Sequence, residues 1–571
     1  MIPINSTYAP VQAFVDELVR CGLTHAVTSP GSRNAPLLLT LAGHPGLEAV
    51  SVIDERSAGY VALGIAKATG KPVAVTCTSG TAAANLLPAV VEAREARVPV
   101  LVLTADRPPE LRDVGVGQAI DQLKLYGSAV KWFCEVGNHP PGREAAVHYR
   151  SLACRAWFTS EDGRPGPVHL NFPFREPLAP TSEQLDPADW EGRPERRPWL
   201  VVSDAPRDPT PTIIELLERD VAEAERGAIV CGSTRYDVAA SAARLASATG
   251  WPLLAEPASG VRCGPHDRSH VVAHYDVLLR SRTFVERHAP DLVLRVGDTP
   301  TSKPLRAWLA ESRQIVIDPD AAWHEPTRQA ERLITTAPDA ACDLLAATLE
   351  ESVTPAAPEW LDSWRAADAL VQPALAEMPD PFEPKAYVAV EGSLPDGALV
   401  WVSSSMPIRD VETFFPQSPT LLRFLANRGA SGIDGTVSSA TGATIAAGGR
   451  AVLLTGELAL LHDVGGLLAA RRRGVQLTIV CVNNGGGGIF DFLPVAEHAE
   501  RALYVEHVVT PSGVDVERIA ALAGLTHTLA ETPDEVGAAA FTPGLIEMRT
   551  DRETNVRLHR ELFEKVDAQL R

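Results

Sequence analysis

Three α/β domains in series, each built on a parallel sheet, is the fold class that the sequence predicts. Three observations carry it. The 571 residues correspond to roughly three to four domains at about 150 residues each. Short apolar segments alternate with stretches of helical periodicity, the pattern of βαβ units. Two Pro- and acid-rich stretches, "LAPTSEQLDPADWEGRPERRP" (178–198) and "ESVTPAAPEW" (351–360), read as linkers and cut the alternation into three blocks. The domains expected are therefore 1–180, 198–350 and 361–571.

The elements follow in order. Val11, Phe14, Val15, Leu18 and Val19 recur at helical spacing behind Pro10, which predicts an amphipathic helix over 9–21. Strands are expected at 25–28, 51–54, 73–78 and 98–104 in the first block. The second block offers 228–231, 252–255, 292–296, 314–318 and 333–336, and the third 399–403, 421–426, 451–454, 477–482 and 544–548. The middle block has no clean GxGxxG, so nothing there argues for a dinucleotide.

Composition narrows the function classes. Hydrophobic content of 45% and charged content of 22% suit an ordinary soluble protein. A net charge of −20 argues against nucleic acid or an anionic membrane as partner. The start, "MIPINSTYAP", lacks a basic n-region and an apolar h-region, so no signal peptide is expected. No apolar run is long enough to cross a bilayer. Eight scattered cysteines without a CxxC pair fit buried thiols in a reducing cytoplasm better than a zinc site or a disulfide framework.

In open α/β sheets ligands bind beyond the carboxyl ends of the strands. In the third block one strand runs into "TGELALLHD" (455–463) and the next into "NNGGGGIF" (483–490). Four successive glycines cost folding entropy. They fit either a flexible loop or a main chain that closely approaches a metal ion or a phosphate. Glu457 and Asn484, each at a strand end, could share a hard cation, with a main-chain carbonyl from the glycine run as a third oxygen donor.

The Gly-acid-Leu triplet at 456–458, followed after 24 residues by Asn483-Asn484, resembles the thiamine-diphosphate motif. That resemblance implies a thiamine-diphosphate-binding fold. In it Glu457, Asn484 and the Gly486 carbonyl hold Mg²⁺ or Mn²⁺, and Gly456 permits close approach. The usual acid is Asp. Glutamate is longer by about 1.5 Å in a site with Mg–O distances of about 2.0–2.1 Å, which predicts a shifted backbone or an altered metal preference. In "SVIDERSAGYVALGIAKATG" (51–70), Glu55 stands where the family's glutamate bonds N1′ of the aminopyrimidine. By itself it also fits an acid placed at a helix N-terminus by the dipole.

Longer motifs narrow the family. "TSPGSRNAPL" (28–37), "TCTSGTAAANLLPAVVEA" (76–93), "LTADRPPELRDVGVGQAIDQ" (103–122), "SSSMPIRD" (403–410) and "NRGASGIDGTVSSATG" (427–442) together resemble the 2-succinyl-5-enolpyruvyl-6-hydroxy-3-cyclohexene-1-carboxylate synthases of menaquinone biosynthesis. A weaker echo lies at "TPTSKPLRAWL" (299–309). Enzymes of that family, which are transferases, decarboxylate 2-oxoglutarate on thiamine diphosphate and add the succinyl carbanion to isochorismate. The resemblance implies Glu55, Ser32, Arg33, Gln118, Arg409 and Arg428 as catalytic residues. Cofactor contacts would add Thr81, Ser405, Met406, Ile433, Leu458, Gly487, Ile489 and Phe490. Isochorismate would fall mainly to Ser32, Arg33, Arg107, Gln118 and Lys303. The oxoglutarate-derived part would fall to Ser405, Arg409 and Arg428, with Ile489, Phe490 and Leu493 as an apolar wall or as plain core. Arginine forks suit both dicarboxylates. In the family Glu55 and the metal site meet across a subunit boundary, which implies a homodimer and a dimer of dimers (homotetramer). Two alternatives stand beside this reading: another thiamine-dependent 2-oxoacid decarboxylase or carboligase, and a non-catalytic binding protein on the same fold.

Overall fold

The computed structural model describes residues 5–203, 207–352 and 355–571. The first four residues of the N-terminal stretch and residues 353–354 of the second expected linker lie outside the described residues.

Among the described residues eighteen strands form three six-stranded sheets, and every pairing between them is parallel. The first sheet comprises β1 (His25–Thr28), β2 (Glu48–Ser51), β3 (Val73–Cys77), β4 (Val100–Asp106), β5 (Trp132–Glu135) and β6 (Val168–Pro173), in the order β2-β1-β3-β4-β6-β5. The second comprises β7 (Gly227–Cys231), β8 (Leu253–Ala255), β9 (Val271–Val272), β10 (Leu292–Val296), β11 (Gln314–Ile317) and β12 (Ala330–Ile334), in the order β12-β11-β10-β7-β8-β9. Read from β9, that is the 3-2-1-4-5-6 order of a dinucleotide-binding fold. The third comprises β13 (Ala398–Val402), β14 (Leu422–Leu425), β15 (Ala451–Gly456), β16 (Leu477–Asn483), β17 (His527–Ala530) and β18 (Gly544–Arg549), in the order β14-β13-β15-β16-β18-β17. The fold class is therefore α/β with three parallel sheets.

Central strands such as β3, β4, β7, β10 and β13 are buried along their whole length, as strands covered on both faces must be. The chain divides into two compact units. One contains residues 1–204, 427–449 and 462–476, and so the first sheet; the other contains the second and third sheets.

Two expectations need correction. The strand expected at 51–54 is β2 at Glu48–Ser51. Asp54 instead caps the helix Glu55–Thr69 by accepting the Arg56 N–H at 2.9 Å, and Ile53 is 70% exposed. The stretch 178–198 is not a loose connection. It carries 3₁₀ turns at Pro187–Trp190 and Pro194–Arg196, and arginines hold its carbonyls: Arg143 donates to Glu191 at 2.7 Å and Arg150 to Trp190 at 2.7 Å. All eight cysteines are free, as expected, and Cys21 and Cys154, distant in sequence, bring their sulfurs to 3.7 Å. Among the described residues no helix is long and apolar enough to cross a membrane.

Candidate active site

Two strand ends of the third sheet build the most chemically specific cluster. β15 ends at Gly456, and Glu457 opens the helix Glu457–His462; β16 ends at Asn483, and Asn484 and the glycine run follow. Glu457 is 2% exposed, and its Oε1 accepts the Gly486 N–H at 2.6 Å. Burial pushes its carboxyl up to about 7, against the pull of the main-chain N–H groups of Glu457, Gly486 and Asn484. The Asn484 side chain donates from Nδ2 to Glu383 Oε1 at 2.9 Å, while its Oδ1 is buried and accepts no hydrogen bond. A buried acceptor without a donor needs a reason, and a cation supplies one.

The glycines have local reasons too. Gly486 has φ +152, and a Cβ there would lie 2.6 Å from Val509 Cγ1; one at Gly488 would lie 2.6 Å from Asn484 Nδ2. The run is therefore a packed turn, not a flexible loop. At Gly456 an added Cβ would meet only Val482 O, at 3.7 Å, so nothing in the protein itself demands glycine there. The Gly486 carbonyl accepts the Gly488 N–H at 3.0 Å and keeps a second lone pair. A buried carboxylate, an orphaned amide oxygen and a main-chain carbonyl are the hard-oxygen set that Mg²⁺ or Mn²⁺ takes. The residues present thus fit a divalent cation, and the extra methylene of Glu457 is accommodated by folding its carboxylate onto the loop N–H groups.

Ser405 precedes the helix Met406–Phe414 with φ +77, a conformation unusual for serine, and its carbonyl accepts from Arg409. Arg409 and Leu458 are half-buried and Met406 is buried. Downstream of Gly487, Ile489 and Leu493 are half-buried and Phe490 is 37% exposed, so this is an apolar rim and not plain core. Lys303 opens the helix Lys303–Ala310 behind the Ser302 cap and is exposed.

The first sheet's strand ends gather a different set. After β1, Ser32 is exposed, and Arg33 is 7% exposed with Nη1 donating to Phe174 O at 2.9 Å. Burial first, then the charge of Arg107, lowers the Arg33 pKa from its usual range. Arg107, after β4, donates to Gly117 O at 3.0 Å. Gln118, at φ +60, donates to Ser79 O at 3.1 Å, and Ser79 Oγ donates to Gln118 O at 2.8 Å. Thr81 opens the next helix behind Gly80. Glu55 is half-buried at the head of its helix, and burial, with a smaller contribution from Asp54, raises its carboxyl pKa. The 427–435 loop that carries Arg428 and Ile433, both half-buried, is held in the same unit. Glu92, 2% exposed, accepts the Gly429 N–H at 2.9 Å and the Ala430 N–H at 2.6 Å, and Tyr60 donates to Asp434.

The structure thus brings together Glu457, Asn484 and Gly486 in one unit, and Arg33 and Arg107, Gln118 and Ser79 in the other. Sequence reasoning missed Glu92, Ser79, Asp434 and Glu383. Ser79, Glu92 and Asp434 lay inside quoted motifs, whereas Glu383 carried no local signal.

Comparison with known proteins identifies the family. Residues 10–125 match the model for the N-terminal TPP binding domain of thiamine pyrophosphate enzymes, 188–378 the middle domain, and 409–543 the C-terminal TPP binding domain. A 2-succinyl-5-enolpyruvyl-6-hydroxy-3-cyclohexene-1-carboxylate synthase from Geobacillus kaustophilus is 44% identical over 99% of this chain and 98% of its own length. Proteins of the same name from Myxococcus xanthus (42%; 98% of this chain, 97% of the relative) and Halorubrum lacusprofundi (41%; 97% of each) match as fully. The chain belongs to the thiamine pyrophosphate enzymes and, among them, to the 2-succinyl-5-enolpyruvyl-6-hydroxy-3-cyclohexene-1-carboxylate synthase family.

Proposed function

We propose that this protein is the thiamine-diphosphate-dependent transferase that decarboxylates 2-oxoglutarate and joins the remaining succinyl unit to isochorismate. The observation that carries the reading is the buried hard-oxygen set at the strand ends of the third sheet; arginines at the strand ends of the first sheet suit dicarboxylate substrates. Thiamine diphosphate, when bound, supplies a carbon acid that adds to a 2-oxo acid and accepts the electrons released on loss of CO₂.

The chain's own residues do the rest. Glu457, Asn484 and the Gly486 carbonyl would hold Mg²⁺ or Mn²⁺ against the diphosphate. Glu55, its proton affinity raised by burial, would share a proton with N1′ of the aminopyrimidine. Ile433, Met406, Leu458, Gly487 and Thr81 would line the cofactor, and Ile489, Phe490 and Leu493 would keep water from the reacting carbon. Arg409 and Arg428, with Ser405, would grip the carboxylate of the oxoglutarate-derived unit. Ser32, Arg33, Arg107, Gln118 and Lys303 would grip isochorismate through bidentate, charge-assisted bonds.

The ranges 1–180, 198–350 and 361–571 are our proposed pyrimidine-binding, central and diphosphate-binding domains. A homodimer or dimer of dimers in the cytoplasm is the proposed assembly. The test is a product assay on purified protein. Decarboxylation of 2-oxoglutarate with isochorismate-dependent product formation supports the reading; turnover of pyruvate alone, or no turnover with thiamine diphosphate and Mn²⁺ supplied, overturns it.

A further inference from the structure

An asparagine can serve as a metal ligand only if its amide presents oxygen to the ion, and the two orientations of an amide are nearly isosteric. Something must choose between them. Glu383 opens the helix Glu383–Val388, is followed by Pro384, and is 1% exposed. Its Oε1 accepts from Asn484 Nδ2 at 2.9 Å and from Thr550 Oγ1 at 3.0 Å. Thr550 is itself fixed to the end of β16, donating its N–H to Asn483 O at 3.0 Å. On another side, Gly488 leaves so little room that an added Cβ would lie 2.6 Å from Asn484 Nδ2. The outcome is an amide whose NH₂ is tied down and whose Oδ1 is left buried without a donor.

We propose that Glu383 is a positioning residue for the divalent cation: by accepting from Asn484 Nδ2 it holds the side-chain oxygen toward the metal. This rests on the metal-site reading above. The opposite orientation would set Nδ2 against the ion and Oδ1 against the Glu383 carboxyl, losing a buried hydrogen bond and opposing two acceptors. Partners of metal ligands act in this way elsewhere, and losing one typically costs about 10–100-fold in metal affinity. A buried carboxylate kept only for packing would have no such effect.

Mn²⁺ titration followed by electron paramagnetic resonance, with saturating thiamine diphosphate, tests the role without relying on turnover. Glu383→Gln keeps a side-chain oxygen for Asn484 Nδ2 and is expected within about threefold of wild type. Glu383→Met removes the acceptor at similar volume and is expected to weaken Mn²⁺ by about 10–100-fold, whatever it does to the melting midpoint of the cofactor-free protein. Folded Glu383→Met with wild-type Mn²⁺ affinity overturns the positioning role. A second pair decides the matter if that variant does not fold. Asn484→Asp sets a carboxylate against Glu383 and should weaken Mn²⁺, and adding Glu383→Gln, whose amide can donate, should restore at least tenfold of the loss. Strictly additive effects of the two substitutions would contradict the proposal. Wild-type protein that binds no Mn²⁺ removes the metal site itself, and so is distinguishable from failure of Glu383 alone.

Discussion

The first and third sheets have the same strand order. Counted within each sheet, both run 2-1-3-4-6-5; the first strand ends carry the same residue types, and the next three differ. After the first strand come Ser32 and Arg33 in one, Ser405 and Arg409 in the other; after the second, Glu55 against Arg428; after the third, Thr81 against Glu457; after the fourth, Arg107 against Asn484. The topology supplies equivalent places beyond the strands, and the side chains set there decide what each can hold. In the third sheet a buried carboxyl and an orphaned amide oxygen converge. In the first, two guanidinium groups lie close enough for one to depress the proton affinity of the other, and Glu176, 3.4 Å from Arg33, offsets part of that effect. The middle sheet, with its different order, brings Lys303 alone among the expected site residues.

Substitutions at equivalent strand ends should break this comparison in graded ways. The largest effect is expected at Glu457. Glu457→Ala removes the anionic member of the hard-oxygen set and should weaken Mn²⁺ by more than about 100-fold, beyond what losing a partner of a ligand costs. Intact Mn²⁺ affinity, read by the same resonance titration, would remove Glu457 from the site.

Glu55→Gln comes next. It keeps the shape but loses the acid, and C2–H exchange of bound thiamine diphosphate, followed by NMR, should slow at least tenfold, about 1.4 kcal/mol of barrier. Unchanged exchange with the cofactor bound would make Glu55 a helix-terminal acid and nothing more.

A smaller effect concerns metal choice. Mg²⁺ demands near-ideal octahedral geometry, so the longer Glu457 should favour Mn²⁺, and Glu457→Asp should lower the Mn²⁺/Mg²⁺ activity ratio by about two- to fivefold. An unchanged ratio would mean that the folded-back carboxylate leaves the site undistorted.

The smallest effect is on stability. The helix Met406–Phe414, which carries Arg409, also buries Glu412, 2% exposed, with Tyr275 OH donating to it at 2.7 Å. Burial first, then Glu256 and Asp276, push this carboxyl up to about 8. A raised carboxyl favours the folded state below its unfolded value, and that stability is lost as pH rises through the folded value. Glu412→Gln should therefore raise the melting midpoint at pH 9 relative to pH 5 by about 2–4 °C over wild type. A shift of the same size at both pH values would contradict the assignment.

Much of this was legible in the sequence, for physical reasons that also explain the gaps. Strands such as Gly227–Cys231 and Ala398–Val402 fall within a residue of where apolar runs predicted them, because a strand covered on both faces is mostly apolar. β6 escaped because it carries His169 and Asn171 inside the sheet, where Thr104 Oγ1 meets His169 Nε2 at 2.7 Å and donates to Asn171 Oδ1 at 2.8 Å. Buried polar groups that satisfy one another read as a loop in one dimension. β5 is only half-buried, and β9 is two residues long. At the site, Glu457 and Asn484 were visible through spacing alone. Glu383 lies 101 positions from Asn484, and no local pattern marks a residue whose partner is supplied by tertiary structure.

One measurement tests most directly the claim that equivalent strand ends serve different substrates. Arg33→Ala and Arg409→Ala are each assayed for 2-oxoglutarate decarboxylation with an artificial acceptor and for addition to isochorismate. Losing one charge-assisted partner costs roughly 1.5–3 kcal/mol, about tenfold or more. The account predicts that Arg409→Ala raises the KM for 2-oxoglutarate by that amount while affecting isochorismate less. Arg33→Ala should keep most decarboxylation and lose addition. Equal weakening of both substrates by both variants would contradict it.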